Sequence, residues 1–259
     1  MSYTTEQVEQ LNRDRRQAST AIVKQFRDLA QGLAPTLATE KAKEYLNHGV
    51  CRRLKVIGRC LDKMFEIFPV DRTQLLNWDE VADVQIHLHA FVININGLLD
   101  NMAWVFVCDK ALEEVIEGGR HGIGLFKKET QKHLPAELKA YLTTERIRQW
   151  HIRYAKDYRD ALAHRIPLYV PPSMVTTDDI EQYKAAEKAQ WAALLSGDLA
   201  GAHQRKKESE ALQKVCFTFT HSYTETKTIV YLHPQMIADA NTVLELNEKF
   251  RKHLGRPSS

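Results

Sequence analysis

The segment from "NWDE" at residue 77 to Phe106 restricts the possible folds more than any other part of the chain. Its apolar residues recur mainly every three or four positions, as expected for a helix, and they cover more than one face: Val81, Val84, Leu88, Phe91, Val92, Ile95, Leu98, Leu99, Met102, Val105 and Phe106. A helix that is apolar on several faces must be covered on several sides. The pattern therefore predicts the central helix of a bundle, with Asn77 or Asp79 as its N-cap.

Amphipathic patterns before and after this segment predict further helices. One covers residues 4–31, and a second begins at Thr39 and continues to Phe68. A short helix follows Pro135, and a basic helix begins at "TTER", residues 143–146. A helical pair after residue 176 and a last helix from Pro234 complete the pattern.

The period of the apolar residues changes to two near the C-terminus, where Val215, Phe217 and Phe219 alternate with polar residues. This alternation predicts a β-hairpin at about 215–233. The expected fold class is mainly α: a helical bundle over residues 1–175, and an extension over 176–259 that holds the hairpin and the final helix. We expect the two parts to pack as one unit.

Composition excludes several classes of protein. A hydrophobic share of 44% and a charged share of 27% are typical of a soluble globular protein. The N-terminus is polar, and no segment approaches the roughly 18 consecutive apolar residues of a membrane span. The four cysteines are scattered and form no CxxC pair, so neither a metal site nor a disulfide framework is predicted. A cytoplasmic protein without contact to a membrane is expected.

The segment "YRDALAHRIPLYVPP", residues 158–172, concentrates polar chemistry where a helix must end. It begins with helix-forming residues and ends in three prolines, which cannot continue a helix. Residues 145–165 carry six Lys and Arg against three Asp and Glu, so their excess of +3 equals that of the whole chain. Such a segment attracts phosphate, with Arg153 and Lys156 as candidate RNA contacts. The alternative is an ordinary solvated helix of mixed charge.

The last turns of that helix bring together side chains suited to acid–base catalysis. Asp160 and His164 are four residues apart, so the carboxylate can accept a hydrogen bond from the imidazole and favour its charged form. Arg159 and Arg165 add cations that do not titrate. An imidazole that moves a proton, beside a guanidinium that offsets charge on phosphorus, can transfer a phosphodiester without metal. Alternatively, these residues only stabilise the C-terminal end of the helix dipole.

The sequence "RDALAH" resembles the Arg-x4-His signature of HEPN domains, in which a polar residue commonly follows the arginine. Its position late in a long helix of a bundle and the continuation "HRIPLYVPP" are similar to those of uncharacterised bacterial HEPN-like proteins. The resemblance covers roughly residues 4–172. It implies that Arg159 and His164 are a catalytic pair and that Asp160 is the polar neighbour.

Many HEPN proteins are metal-independent endoribonucleases that act as toxins, in phage defence or in RNA processing. They typically dimerise, so that two motifs line one cleft, whereas other members only bind RNA, nucleotides or protein. One subgroup carries a tyrosine two residues after the histidine, as a target of modification by a partner enzyme. Here that position is Ile166, which does not fit that scheme.

A second group of polar residues interrupts the apolar central helix. Asn96 and Asp100 share one face, and Asn94 and Asn101 share another. Buried amides and carboxylates are costly unless they find hydrogen-bond partners. Two alternatives follow: either backbone groups or buried water supply these partners, or Asp100 faces Arg159 or His164 across the bundle and positions it.

Two functions follow from these residues. The first is a HEPN-like RNA-binding protein, a homodimer, that cleaves RNA with Arg159, His164 and Asp160 and is supported by Asp100, Asn96 and Arg165. The second is a non-catalytic module that binds RNA or an acidic protein. A third possibility is a subunit of a defence system, with an antitoxin or effector as its partner. None of them requires a cofactor or a metal.

Overall fold

The computed structural model describes residues 3–222 and 229–254, and it confirms a mainly helical fold with a small antiparallel sheet and a C-terminal helix. The α-helices within these ranges are α1 Thr5–Arg27, α2 Glu40–Glu44, α3 Arg52–Ile67, α4 Trp78–Asp109, α5 Lys128–Gln131, α6 Ala136–Leu142, α7 Glu145–Trp150, α8 Asp157–His164, α9 Ile180–Leu195, α10 Leu199–Ala211 and α11 Leu232–Arg251.

Three π-helical segments continue or join these helices. Asp28–Leu33 extends α1, Tyr45–Cys51 joins α2 to α3, and His151–Lys156 joins α7 to α8. The basic helix therefore runs without a break from Glu145 to His164, but it contains a wider turn in its middle. A π turn changes which side chains share a face, so the spacing rules of a regular α-helix fail across it.

The long helix α4 lies at the centre of the bundle, as its apolar pattern predicts. Asn77 caps it in a reciprocal arrangement, in which the Asn77 side chain accepts from the Glu80 amide and the Glu80 carboxylate accepts from the Asn77 amide. By length and composition α4 could cross a membrane, and 67% of its most apolar window is buried inside the protein. Helix α3 packs along α4, while α1 and α11 pack against both α3 and each other.

The predicted N-cap of the second helix is also present. The hydroxyl of Thr39 accepts a hydrogen bond from the amide of Ala42 at 3.1 Å, and it satisfies one of the free N–H groups at the start of α2. Helix α2 therefore begins directly after Thr39, as the sequence predicts.

The C-terminal helix α11 belongs to the same core as the N-terminal helices. Trp150 Nε1 donates to Asp239 at 2.8 Å, and the ring of His233 is hydrogen-bonded through Nε2 to the carbonyl of Phe68 at 2.7 Å. Buried apolar residues from Leu11 to Leu254 form one cluster. Side chains from both sides of residue 175 thus fill a single core.

The predicted hairpin is a short two-stranded antiparallel sheet. Strand β1 is Thr218–Phe219 and β2 is Val230–Tyr231, with Thr218 opposite Tyr231. Residues 223–228 between them lie outside the described residues. The segment after α8 joins this region, since Tyr169 pairs with Thr220 through two backbone hydrogen bonds.

Helices α9 and α10 form a hairpin that stands away from the core. No residue of α9 is buried, and the turn between the helices contains Gly197 at a φ of 78°. Apolar side chains at its end are exposed, namely Trp191, Leu194, Leu195 and Leu199. At its base, Met174 and Lys214 exchange two backbone hydrogen bonds of 2.8 Å.

Candidate functional site

A basic cavity lies between α4, the loop at 124–131 and the basic helix; we name it the Arg159 groove. Its volume is about 470 Å³. The polar residues of its lining are Asn96, Asp100, Lys127, Lys128, Gln131, Thr143, Arg148, His151, Lys156 and Arg159. Five cations thus face one carboxylate, and a surface of this kind attracts an anion.

Arg159 and Lys156 reach this groove together and share one carboxylate. Lys156 Nζ donates to Asp160 Oδ2 at 2.7 Å, and Arg159 Nε lies 3.2 Å from Asp160 Oδ1. Partial burial raises the pKa of Asp160, but Lys156, Arg159 and Arg165 outweigh it and the net pKa is lowered. The carboxylate stays charged at neutral pH and orients both cations. Arg159 keeps 41% of its side chain exposed and so remains open to a ligand.

The hydrogen bond expected between Asp160 and His164 is not formed among the described residues. The Asp160 carboxylate is already occupied by Lys156, four residues before it, and by Arg159. The carboxylate thus binds these two cations in place of the imidazole. His164 is exposed on the last turn of α8 and does not line the Arg159 groove.

Arg165 and Arg153 also lie outside the groove lining. Arg165 donates from Nη2 to the Asp157 carboxylate at 2.6 Å and to its carbonyl oxygen at 2.9 Å. The other carboxylate oxygen of Asp157 lies 3.1 Å from Nε2 of the buried His221. Arg165, which follows the last residue of α8, is therefore bound to Asp157 at the start of the same helix. Arg153 is exposed to solvent.

Asn96 and Asp100 lie where α4 meets the basic helix. Asn96 Nδ2 donates to the carbonyl of Ala155 at 2.7 Å, so a backbone group of the neighbouring helix satisfies this amide. Asp100 lines the same groove as Arg159. Asp100 is exposed on one side. Desolvation by the surrounding groove nevertheless raises its pKa, and this effect exceeds the opposite effect of the charges on Arg159, Arg53 and Lys127.

His151 is a groove residue that the sequence did not single out. Its ring stacks on Phe126 at 3.7 Å between centroids, with 7° between the planes. Burial, with the nearby charges of Lys156 and Arg159, lowers the pKa of His151 to about 4, so the ring is neutral at pH 7. Its position depends on the π turn between α7 and α8, for which the residue pattern carries no signal.

The loop before α5 is held by one buried side chain, that of Thr130. Thr130 Oγ1 accepts from the amide of Gly124 at 3.0 Å and donates to the carbonyl of Gly122 at 2.8 Å. This places Lys127 and Lys128 at the rim of the Arg159 groove.

Comparisons with known proteins identify no relative. No family model, no curated protein and no solved structure matches this chain. In the part of the chain that the structure describes, no group of three or more His, Cys, Asp or Glu side chains could hold a metal ion.

Proposed function

We propose that this chain is a HEPN-like RNA-binding protein of the cytoplasm and that the Arg159 groove holds the backbone of an RNA strand. One observation carries the proposal: five Lys and Arg side chains converge on a groove with a single carboxylate. Contacts of this kind to phosphate supply most of the affinity of proteins for nucleic acids. The Phe126–His151 pair adds flat aromatic surface, on which an unpaired base can stack.

A binding experiment tests this function directly. Fluorescence anisotropy with a labelled single-stranded RNA compares the wild type with Lys156→Ala, Arg159→Ala and the double variant. We expect the double variant to lose about tenfold in affinity. The slope of log K against log salt concentration should become less negative by about 0.7 for each phosphate contact removed. Arg153→Ala is the matched control, because Arg153 lies on the same helix outside the groove lining. Equal losses in all variants would contradict a specific role of the groove.

A second candidate function is a metal-independent endoribonuclease of the toxin or phage-defence type. It is favoured by the exposure of both motif residues, since neither Arg159 nor His164 is sealed from solvent. In this reaction the 2′-hydroxyl attacks phosphorus and the bond to the 5′-oxygen breaks. The 2′-hydroxyl loses its proton and the leaving 5′-oxygen gains one; His164 accepts the first proton or supplies the second, and Arg159 offsets charge on the pentavalent phosphorane. Because His164 lies outside the groove of its own chain, this function requires the homodimer that the HEPN resemblance implies.

Cleavage is tested with purified protein, total RNA and EDTA. We expect the wild type to cut and His164→Ala to be inactive, with unchanged binding in the anisotropy experiment. Equal cleavage by both would remove His164 from the mechanism. RNA binding without cleavage by the wild type would leave the non-catalytic module as the function, and a neighbouring antitoxin or effector gene would then indicate its partner.

A further inference from the structure

A second polar pocket lies beside α4, between this helix and the segment that joins α2 to α3; we name it the Arg53 pocket. Its volume is about 520 Å³. Its lining is Lys41, Glu44, Tyr45, His48, Gly49, Arg52, Arg53, Val56, Asn94 and Asn101. None of these residues belongs to the Arg159 groove.

Arg53 is held in a fixed position in this pocket. Its Nε donates to Asn101 Oδ1 at 2.9 Å, and its Nη1 donates to Asn94 Oδ1 at 3.2 Å. The Asn94 amide is itself oriented, because its Nδ2 donates to the carbonyl of Ala90 at 2.7 Å. The two asparagines that interrupt the apolar pattern of α4 therefore hold one guanidinium group.

The glycine at position 97 makes this arrangement possible. A Cβ atom added there would lie 2.3 Å from Cζ of Arg53 and 2.4 Å from its Nη1. The guanidinium thus occupies the space of the missing side chain and lies against the backbone of α4. Any larger residue at position 97 would displace it.

The charge of Arg53 is not neutralised by these contacts. Both of its hydrogen-bond partners are neutral amides, and Nη2 makes no hydrogen bond among the described residues. Arg52 and His48 also line the pocket without a partner in the described part of the chain. Lys41 and Glu113, by contrast, form an ion pair of 2.7 Å, and the exposed Glu44 is the one carboxylate of the lining.

We propose that the Arg53 pocket is a second binding site, which takes a phosphate group. A guanidinium that is already oriented, with free donors and uncompensated charge, binds phosphate without further ordering. The phosphate belongs either to a free nucleotide or to an RNA strand that crosses α4 from the Arg159 groove; only the RNA source rests on the proposed function. The two sites share helix α4, since Asp100 of this helix lines the Arg159 groove and Asn94 and Asn101 line the Arg53 pocket.

Gly97→Ala is the sharpest test, because it displaces Arg53 without removing it. The atoms that its methyl group meets are the flexible end of a side chain, and alanine favours a helix more than glycine does, so we expect the variant to fold with nearly the wild-type melting temperature. Gly32→Ala is the matched control, since no atom lies within 4 Å of the added Cβ. Arg53→Gln provides an independent variant should the first not fold.

Binding of inorganic phosphate and AMP is measured by calorimetry, and binding of single-stranded RNA by anisotropy. We expect Gly97→Ala and Arg53→Gln to lose about tenfold in affinity for at least one of these probes, and Gly32→Ala to match the wild type. A loss for RNA alone identifies the strand as the source, and a loss for AMP or phosphate identifies a free ligand.

The failure of this site and the failure of the proposed function give different results. If RNA binding depends on Arg159 but no probe distinguishes Gly97→Ala from the wild type, the Arg53 site is overturned and the RNA groove stands. If RNA does not bind but AMP or phosphate does, and depends on Arg53, the second site stands alone. If none of the probes binds the wild type, both proposals are overturned.

Discussion

At the scale of single residues, a few polar side chains on α4 line the two pockets. Asn96 is satisfied by a backbone carbonyl of the basic helix, and Asn94 and Asn101 are satisfied by Arg53. Asp100 alone brings negative charge to the lining of the Arg159 groove. An apolar helix therefore tolerates these polar residues, because each asparagine has a hydrogen-bond partner and Asp100 is exposed to solvent.

Replacing Asp100 by asparagine separates two roles for this residue. If Asp100 only lowers the positive potential of the groove, the variant binds RNA several-fold more tightly at low salt, and the gain shrinks as salt screens the charges. This is the expected result, and anisotropy at two salt concentrations checks it. Weaker binding with an unchanged melting temperature would show instead that Asp100 positions Arg159.

A second residue-scale prediction concerns Asp239, a buried carboxyl that accepts hydrogen bonds from Trp150 and Gln235. Burial raises its pKa to about 7. In the unfolded chain its pKa is about 3.9, so between pH 4 and 7 the unfolded state releases a proton that the folded state keeps. The stabilising contribution of Asp239 is therefore complete at low pH and is lost as the pH rises towards 7, at about 1.4 kcal/mol for each unit of separation.

Asp239→Asn removes this titration and keeps an acceptor for Trp150. We expect the free energy of unfolding of the variant, relative to the wild type, to rise by a few kcal/mol between about pH 4 and pH 7 and to stay constant above that range. Urea denaturation across this interval measures the difference. A difference that does not change with pH would mean that Asp239 is ionised in the folded protein.

At the scale of elements, the contrast between α11 and the α9–α10 hairpin is the clearest. Helix α11 buries twelve residues, whereas α9 buries none of its own. The side-chain hydrogen bonds of residues 180–211 all stay within the hairpin in the described structure, for example from Tyr183 to Glu187. The hairpin is thus an addition to the bundle, although it lies between two elements of the core.

Excision of the hairpin tests this difference. A short Gly/Ser linker in place of residues 180–211 should join Asp179 to Leu212 without strain, because the backbone is already paired at the base of the hairpin, where Met174 and Lys214 exchange two hydrogen bonds of 2.8 Å. We expect the melting temperature to change by a few degrees at most, which corresponds to about 1 kcal/mol for a domain of this size. Truncation after Tyr231, which removes α11, should by contrast abolish cooperative unfolding in calorimetry. Equal damage by both deletions would contradict the distinction.

At the scale of the whole molecule, one core joins residues from both ends of the chain. Leu11 near the start and Phe250 near the end enter the same cluster as α4. The four cysteines are buried, with exposures from 1% to 5%. Burial also raises the pKa of Cys51 and Cys60 to about 11, so these thiols are neutral at pH 7.

The cysteines therefore report on opening of the whole molecule. We expect the native protein to react with a thiol reagent at neutral pH only at the rate of global unfolding, and all four thiols to react in denaturant. Absorbance kinetics with and without urea measure both rates. A thiol that reacts rapidly in the native state would reveal local opening of the element that carries it.

The sequence by itself determined the elements of this protein. The pattern of apolar residues predicts the central helix α4, and the structure contains it. Thr39 caps α2 as predicted, and Asn77, one of two candidates, caps α4. Helix α8 ends at His164, before the prolines. The sequence predicts these features because they depend on local chemistry. The concentration of cations in residues 145–165 also indicates the region of the Arg159 groove.

Only the tertiary structure decided which side chains meet. Helical spacing paired Asp160 with His164, but the carboxylate binds Lys156 and Arg159, and His164 faces solvent. His151 enters the groove through a π turn, and Arg53 reaches the asparagines of α4 from another helix, 41 and 48 residues away. Local patterns fix how the chain turns from one residue to the next, whereas competition for a charged partner and the contacts across helices arise only when distant segments pack together.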